Sequence, residues 1–197
     1  TREEGGRRVV IETGSGDKFD AKNKAIFGLT ARSIVSAMAE ASLDPSAVGY
    51  VIVTHLHFDH AGGVARLPRQ GGKPDWVGPD DFGVNLAFPN AAVIVQAREW
   101  EDAVNNASVM TRTYLREHLL PVQARLELVN SPLPFPGRVP RRAEKPGPLE
   151  DRLTEVVPGI YVFRVPGHTW GQQAVMFPDT AHRTVVFTPD AMPTGGD

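Results

Sequence analysis

His55-Leu56-His57-Phe58-Asp59-His60-Ala61-Gly62-Gly63 packs three of the chain's six histidines and one aspartate into nine residues. The stretch before it, Tyr50-Val51-Ile52-Val53-Thr54, is apolar nearly throughout and reads as a strand inside a sheet covered on both faces. The segment after such a strand lies at its carboxyl end, where open α/β sheets place their sites. His55 and His57 are two apart in an extended segment, so both imidazoles can point to one side and grip one cation. Asp59 and His60 come a short turn later and are better placed for a second ion a few ångströms off. Gly62 and Gly63 let neighbouring backbone pass close by. A bare His-x-His is most often a solvated loop, but the full His-x-His-x-Asp-His run after a strand is a metal-ligand pattern.

Two other segments repeat the geometry. Pro166-Gly167-His168-Thr169 follows a predicted strand at 160–165, and Thr188-Pro189-Asp190 follows one at 184–187, so each sets a ligand-type side chain just past a strand. Further strands are predicted at 9–11, 91–96 and 173–177. Helices are predicted at 30–41, with Ile34, Val35, Met38 and Ala41 on one face and Thr30 as N-cap, and at 97–105 and 109–120, the last ended by Pro121. Alternating strands and helices predict an α/β architecture. Residues 130–150 hold six prolines and a basic run of Arg138, Arg141, Arg142 and Lys145, and read as a long loop. Solvation is the ordinary fate of those charges, and binding an anionic substrate group is the minor option. Thr13-Gly14-Ser15-Gly16 lacks the lysine and spacing of a phosphate-binding loop and reads as a turn. His118 is expected as a partly exposed helix residue, His182 as a turn residue and Trp170 as a packing residue.

The length of 197 residues suits one domain, taken as 1–197. Lys and Arg number 21 against 23 Asp and Glu, a net charge of −2 that gives no electrostatic ground for a nucleic-acid or membrane partner. The absence of cysteine excludes disulfides, thiolate nucleophiles, iron–sulfur clusters and cysteine-based zinc sites. No apolar run approaches the ~20 residues of a membrane span, and no signal peptide is visible, which points to a soluble, cytoplasmic protein. A small-molecule substrate is the expected partner, and a homo-oligomer is compatible with the composition.

The three motifs, together with Val10-Ile11-Glu12-Thr13-Gly14, resemble those of the metallo-β-lactamase-fold hydrolases. The resemblance covers about residues 9–194, and Asp190-Ala191-Met192-Pro193-Thr194 leans it toward the lactonase-type branch. It implies an αββα sandwich, two β-sheets flanked by helices, with a dinuclear metal site at the sheet edge. By matching position, His55, His57 and His168 would hold the first ion, Asp59 and His60 the second, and Asp190 would bridge both. The family supplies one more histidine from beyond the bridging aspartate, and this chain has none there, so the domain is expected to be incomplete at its C-terminus. Imidazole and carboxylate donors without sulfur match two divalent ions, zinc first, with iron or manganese also compatible.

The implied chemistry is hydrolysis of an ester-like bond, in a lactone or ester, by a metal-bridged hydroxide. Asp59 is the candidate catalytic residue, holding the nucleophile and passing its proton to the leaving group. Phe58 and Met192 are candidates to line an apolar substrate pocket, with packing an equal option. The same fold admits thioesterase, β-lactamase and phosphodiesterase chemistry. It also admits a mononuclear-iron oxygenase resembling persulfide dioxygenases, held by His55, His168 and Asp190, or a non-catalytic metal-binding scaffold.

Overall fold

In β2 (Arg7–Ile11), β3 (Val48–Ile52) and β7 (Ala92–Gln96), neighbouring aliphatic residues point in opposite directions, and both directions are buried. Val9, Ile52 and Ile94 face one way and meet Val157, Ile160, Val162 and Val175 of a second sheet. Val10, Val51, Val93 and Val95 face the other way, toward Met38, Ala103, Leu119 and Val122. Each of the valine, isoleucine, leucine and methionine side chains among these contributes roughly 1.5–3 kcal/mol on burial, which is why the central strands are apolar runs rather than alternating ones.

The computed structural model describes residues 2–4, 7–107, 113–135, 141 and 144–190. Within them, β1 (Arg2–Glu4) pairs antiparallel with β2, and the helices α1 (Ala21–Ile26) and α2 (Ile34–Glu40) lead to β3. The short helix α3 (Phe58–Ala61) comes soon after β3. Strands β4 (Ala65–Arg66), β5 (Trp76–Val77) and β6 (Gly83–Leu86) form a small antiparallel sheet in the order β4-β6-β5. After β7 come α4 (Ala97–Asn105), α5 (Arg116–Leu119) and β8 (Leu126–Val129). The main sheet has the order β1-β2-β3-β7-β8, with β2, β3, β7 and β8 parallel. The second sheet, β12-β11-β10-β9, is antiparallel throughout and consists of β9 (Thr154–Val157), β10 (Ile160–Arg164), β11 (Gln173–Pro178) and β12 (Thr184–Phe187). The architecture is thus the predicted α/β one, two stacked sheets with helices packed on the main sheet's outer face. None of the helices among the described residues is long and apolar enough to cross a membrane.

A buried polar seam runs between the sheets. Gln96 Nε2 donates to Gln173 Oε1 (2.8 Å) and to Ser131 Oγ (2.9 Å). Gln173 Nε2 donates to the Val53 carbonyl (2.8 Å), and the Gln173 backbone N–H donates to the Thr54 carbonyl (2.9 Å). The second sheet is therefore fastened to the segment that enters the histidine motif.

Several expectations are corrected. The strand before the motif ends at Ile52 rather than Thr54, because the Thr54 N–H is taken by Glu12 Oε1 (2.6 Å). The first long helix begins at Ile34, not at residue 30, since Ser33 and Ser36 form a capping box there. Of the helix expected at 109–120, only Arg116–Leu119 is α-helical, and residues 109–112 lie outside the described residues. A 3₁₀ segment, Leu120–Arg125, carries Pro121 in its first turn, where a missing N–H costs nothing. The described parts of 130–148 hold no helix or strand, as expected of a loop, whereas Arg138 and Arg142 lie outside the described residues. His118 is 1% exposed and packs edge-on against Phe19 (ring centroids 6.0 Å), so it is a core residue. Trp170 is 63% exposed and does not pack. His182 sits in the β11–β12 turn with a φ of 58°, as the sequence led one to expect.

Candidate metal centre

Beyond Ile52 the chain bends at Thr54 and reaches His57, which occupies the position before α3 with φ −62° and ψ 154°. His55 and His57 are buried, and their ring centroids lie 4.6 Å apart. The loop after β10 brings His168 to 5.0 Å from His55 and 4.8 Å from His57, and the turn of α3 brings His60 to 4.0 Å from His55. One donor atom each from His55, His57 and His168 lie within 4.8 Å of one another, and the same holds for His55, His60 and Asp190. Asp190 straddles the two groups, with Oδ2 3.4 Å from His168 Nε2 and Oδ1 3.5 Å from His60 Nε2. Five of the six expected ligands are therefore gathered at one place.

Asp59 stands apart. It belongs to neither group, its side chain is 50% exposed, and its Oδ2 is 3.8 Å from His60 Nε2. Phe58 packs among Phe19 (5.2 Å) and Phe27 (4.9 Å). Met192 lies outside the described residues.

At His55 and His57 the electrostatics favour lone pairs over protons. Burial, reinforced by the neighbouring imidazoles, holds His55 far below the ordinary histidine value. Burial also pushes His57 down to about 4, with His168 acting in the same direction. His60 goes the other way. Burial alone would lower it, but the hydrogen bond and charge of Glu12, helped by Asp59 and Asp190, raise it. His57 Nδ1 lies 3.0 Å from His168 Nε2, and His55 Nε2 is buried with no hydrogen-bond partner among the described residues. Imidazoles crowded beside a carboxylate are the donor set of a divalent cation, and sulfur-free donors at this spacing fit a zinc-like ion.

Two carboxylates not singled out in the sequence hold this arrangement. Glu12, just past β2, accepts the Thr54 N–H on Oε1 and bonds His60 Nδ1 through Oε2, so it orients His60 from behind. Glu99, on the first turn of α4, is fully buried and accepts from Leu56 N (2.9 Å), Tyr114 Oη (3.1 Å) and Thr169 Oγ1 (2.6 Å). Leu56 lies between His55 and His57, Thr169 adjoins His168, and the Tyr114 ring lies 5.1 Å from His57. One side chain thus joins both halves of the first group. Burial raises the Glu99 carboxyl above the ordinary glutamate value, and the three donors offset that only in part. The available signal was an acid placed one turn into a helix that starts directly after a buried strand. Gly171 makes the join possible, since a Cβ there would run into the Glu99 backbone. Gly62 and Gly63 serve the same purpose against the turn at 13–16, where a Cβ would meet the Ser15 and Thr13 carbonyls. Lys18 Nζ donates to the Gly62 and Ala65 carbonyls from a buried position that lowers its pKa to about 8.

Glu99→Ala is expected to cost about 3–5 kcal/mol, because it orphans three buried donors at ~1–3 kcal/mol each, partly relieved by relaxation. Urea titration of the two proteins measures it. A loss under about 1 kcal/mol would mean the carboxylate is not the join described.

A family model described as the metallo-beta-lactamase superfamily matches residues 2–197. An N-acyl homoserine lactonase of Bacillus sp is 28% identical over 158 residues, 80% of this chain and 44% of the relative. The chain thus spans about half the length of the curated relatives it matches. Among solved structures, a probable metal-dependent hydrolase from Staphylococcus aureus superposes with a TM-score of 0.64 at 24% identity, over 91% of this chain and 52% of that one. An N-acyl homoserine lactone hydrolase, solved with the product N-hexanoyl-L-homoserine at its catalytic metal centre, superposes with a TM-score of 0.59 at 24% identity, over 95% and 60%.

Proposed function

The chain belongs to the metallo-beta-lactamase superfamily, and from that premise we propose that it hydrolyses an ester-like bond, in a lactone or ester. The observation that carries the proposal is Asp190 set between two groups of histidine nitrogens, each able to hold a divalent ion. Such a pair of ions, when bound, lowers the pKa of water toward ~7 and polarises a carbonyl. The protein's part is to position and to move a proton. His55, His57 and His168 form one ligand set, with Glu99 fixing it from two sides. His60 and Asp190 lead the other, with Glu12 fixing His60. Asp59, half-exposed at the rim beside His60, takes a proton at its carboxylate and returns it to the departing oxygen.

The lactonase relatives make lactones the first substrates to test, with zinc as the first metal. The place of His57 in the first group gives less support to an iron site of His55, His168 and Asp190 in which His57 stands idle. The zinc-loaded chain is to be assayed against lactones, aryl esters, thioesters and a chromogenic β-lactam. Lactone or ester turnover that a chelator abolishes and zinc restores is expected. Turnover that survives complete chelation, or that is confined to the thioester or β-lactam, would overturn the proposal.

A further inference from the structure

Beside the metal centre lies a cavity of about 370 Å³ whose wall runs from His168 and Asp190 to Arg152 and Arg164. Its size is that of a small-molecule pocket. Phe163 and two prolines of the 130–150 loop, Pro134 and Pro146, supply apolar wall. The arginines are unusual in their company. An arginine whose Nε is buried normally meets a carboxylate. Among the described residues, Arg152 makes no ion pair, and its Nε is buried with no hydrogen-bond partner. Arg164 donates from Nη2 to the Trp170 carbonyl (2.7 Å), a neutral acceptor, and its Nε is likewise buried and unpartnered. The acid on the wall, Asp190, is turned toward His60 and His168, and the two carboxylates whose charge reaches Arg164, Asp102 and Glu99, are engaged by Arg98 and by Leu56, Tyr114 and Thr169.

We propose that this cavity selects an anionic substrate. It would take an ester or lactone whose far end carries a carboxylate, held by Arg152 and Arg164, with the scissile carbonyl beside His168 and Asp190. This rests on the hydrolase reading and deepens it, replacing a purely apolar substrate tail with a charged one. Guanidinium forks match carboxylates two bonds at a time, which gives direction as well as affinity.

The test uses the zinc-loaded chain and two aryl esters of matched length, mono-para-nitrophenyl glutarate and para-nitrophenyl valerate. The readout is the ratio of their kcat/KM values. One charge-assisted contact is worth about 1.5–3 kcal/mol, so a ratio favouring the glutarate by about tenfold or more is expected. It should fall toward one in the Arg152→Met/Arg164→Met double variant. Arg152 lies in the short 3₁₀ turn Glu150–Arg152, so Arg152→Met alone, expected to lower the ratio several-fold, keeps the test open if the double variant folds poorly. A wild-type ratio near one, or a ratio untouched by the variants, overturns the proposal. Calorimetric binding of free glutarate reads the pocket without catalysis. Weakening of about tenfold in Arg152→Met upholds the anion site even if neither ester is cleaved, which would fault only the hydrolase reading. No binding, or binding equal in the variant, overturns the anion site.

Discussion

Replacing His55 by alanine is expected to strip metal from both ligand groups and to reduce turnover to the uncatalysed level. His55 is the residue common to the two groups, and its ring is 0% exposed, with Nδ1 against Thr54 Oγ1 (3.2 Å). The lost ring leaves a cavity costing on the order of 2–5 kcal/mol, which a domain stable by ~5–15 kcal/mol survives in most cases. His55→Gln, which fills most of the space, is the control for folding. Elemental analysis after dialysis is the measurement. His168→Ala sets the contrast, because His168 belongs to one group and its loss should leave the His55–His60–Asp190 group occupied. A full ion retained beside His60 and Asp190 in His55→Ala would show that His55 serves the first group alone.

The second large effect is expected at Asp59. A positioned proton carrier is worth about 10²–10⁴ in rate, so Asp59→Ala should lower kcat by that factor. Its half-exposed side chain contributes little to packing, and stability should change by no more than about 0.5 kcal/mol. Because Asp59 lies in neither ligand group, the metal content should not change. Steady-state kinetics and metal analysis on the same preparation separate the roles. Loss of one ion together with rate would make Asp59 a ligand, as the family resemblance implies, and full activity would remove it from the mechanism altogether.

The candidate ligand residues were legible as a group because they repeat one relation: strand, then donor. Residues 55, 57, 168 and 190 each come after a run of β-branched or aromatic residues that reads as a strand, although the run before Asp190, Thr184–Phe187, is largely exposed. What was not legible is what holds them. Glu12 lay in a segment quoted only for its strand and turn, Glu99 was a lone acid one turn into a helix, and their worth appears when distant donors such as Thr54, Leu56 and Thr169 arrive at their carboxylates. β9 was missed because Thr154-Glu155-Val156-Val157 is half polar, and its strand character comes from pairing with β10. His118 misled for a related reason. Its place in the helix expected at 109–120 suggested a partly exposed position, yet the helix lasts four residues and Phe19 packs against the ring. Trp170 failed in the opposite sense, since its loop is held by backbone and by Arg164 rather than by the indole.

The glutamine pair at the sheet interface bears on how the chain avoids a wrong answer. Valine and isoleucine faces are nearly interchangeable greasy surfaces, and a slip of one sheet over the other by a residue pair would bury almost as much oil. The amides of Gln96 and Gln173 would then lose their mates inside a dry layer, at about 1–3 kcal/mol for each stranded group. Fidelity of alignment therefore lies in the least oily residues of the interior, and a misaligned sandwich would carry its histidines out of reach of one another before any substrate arrived.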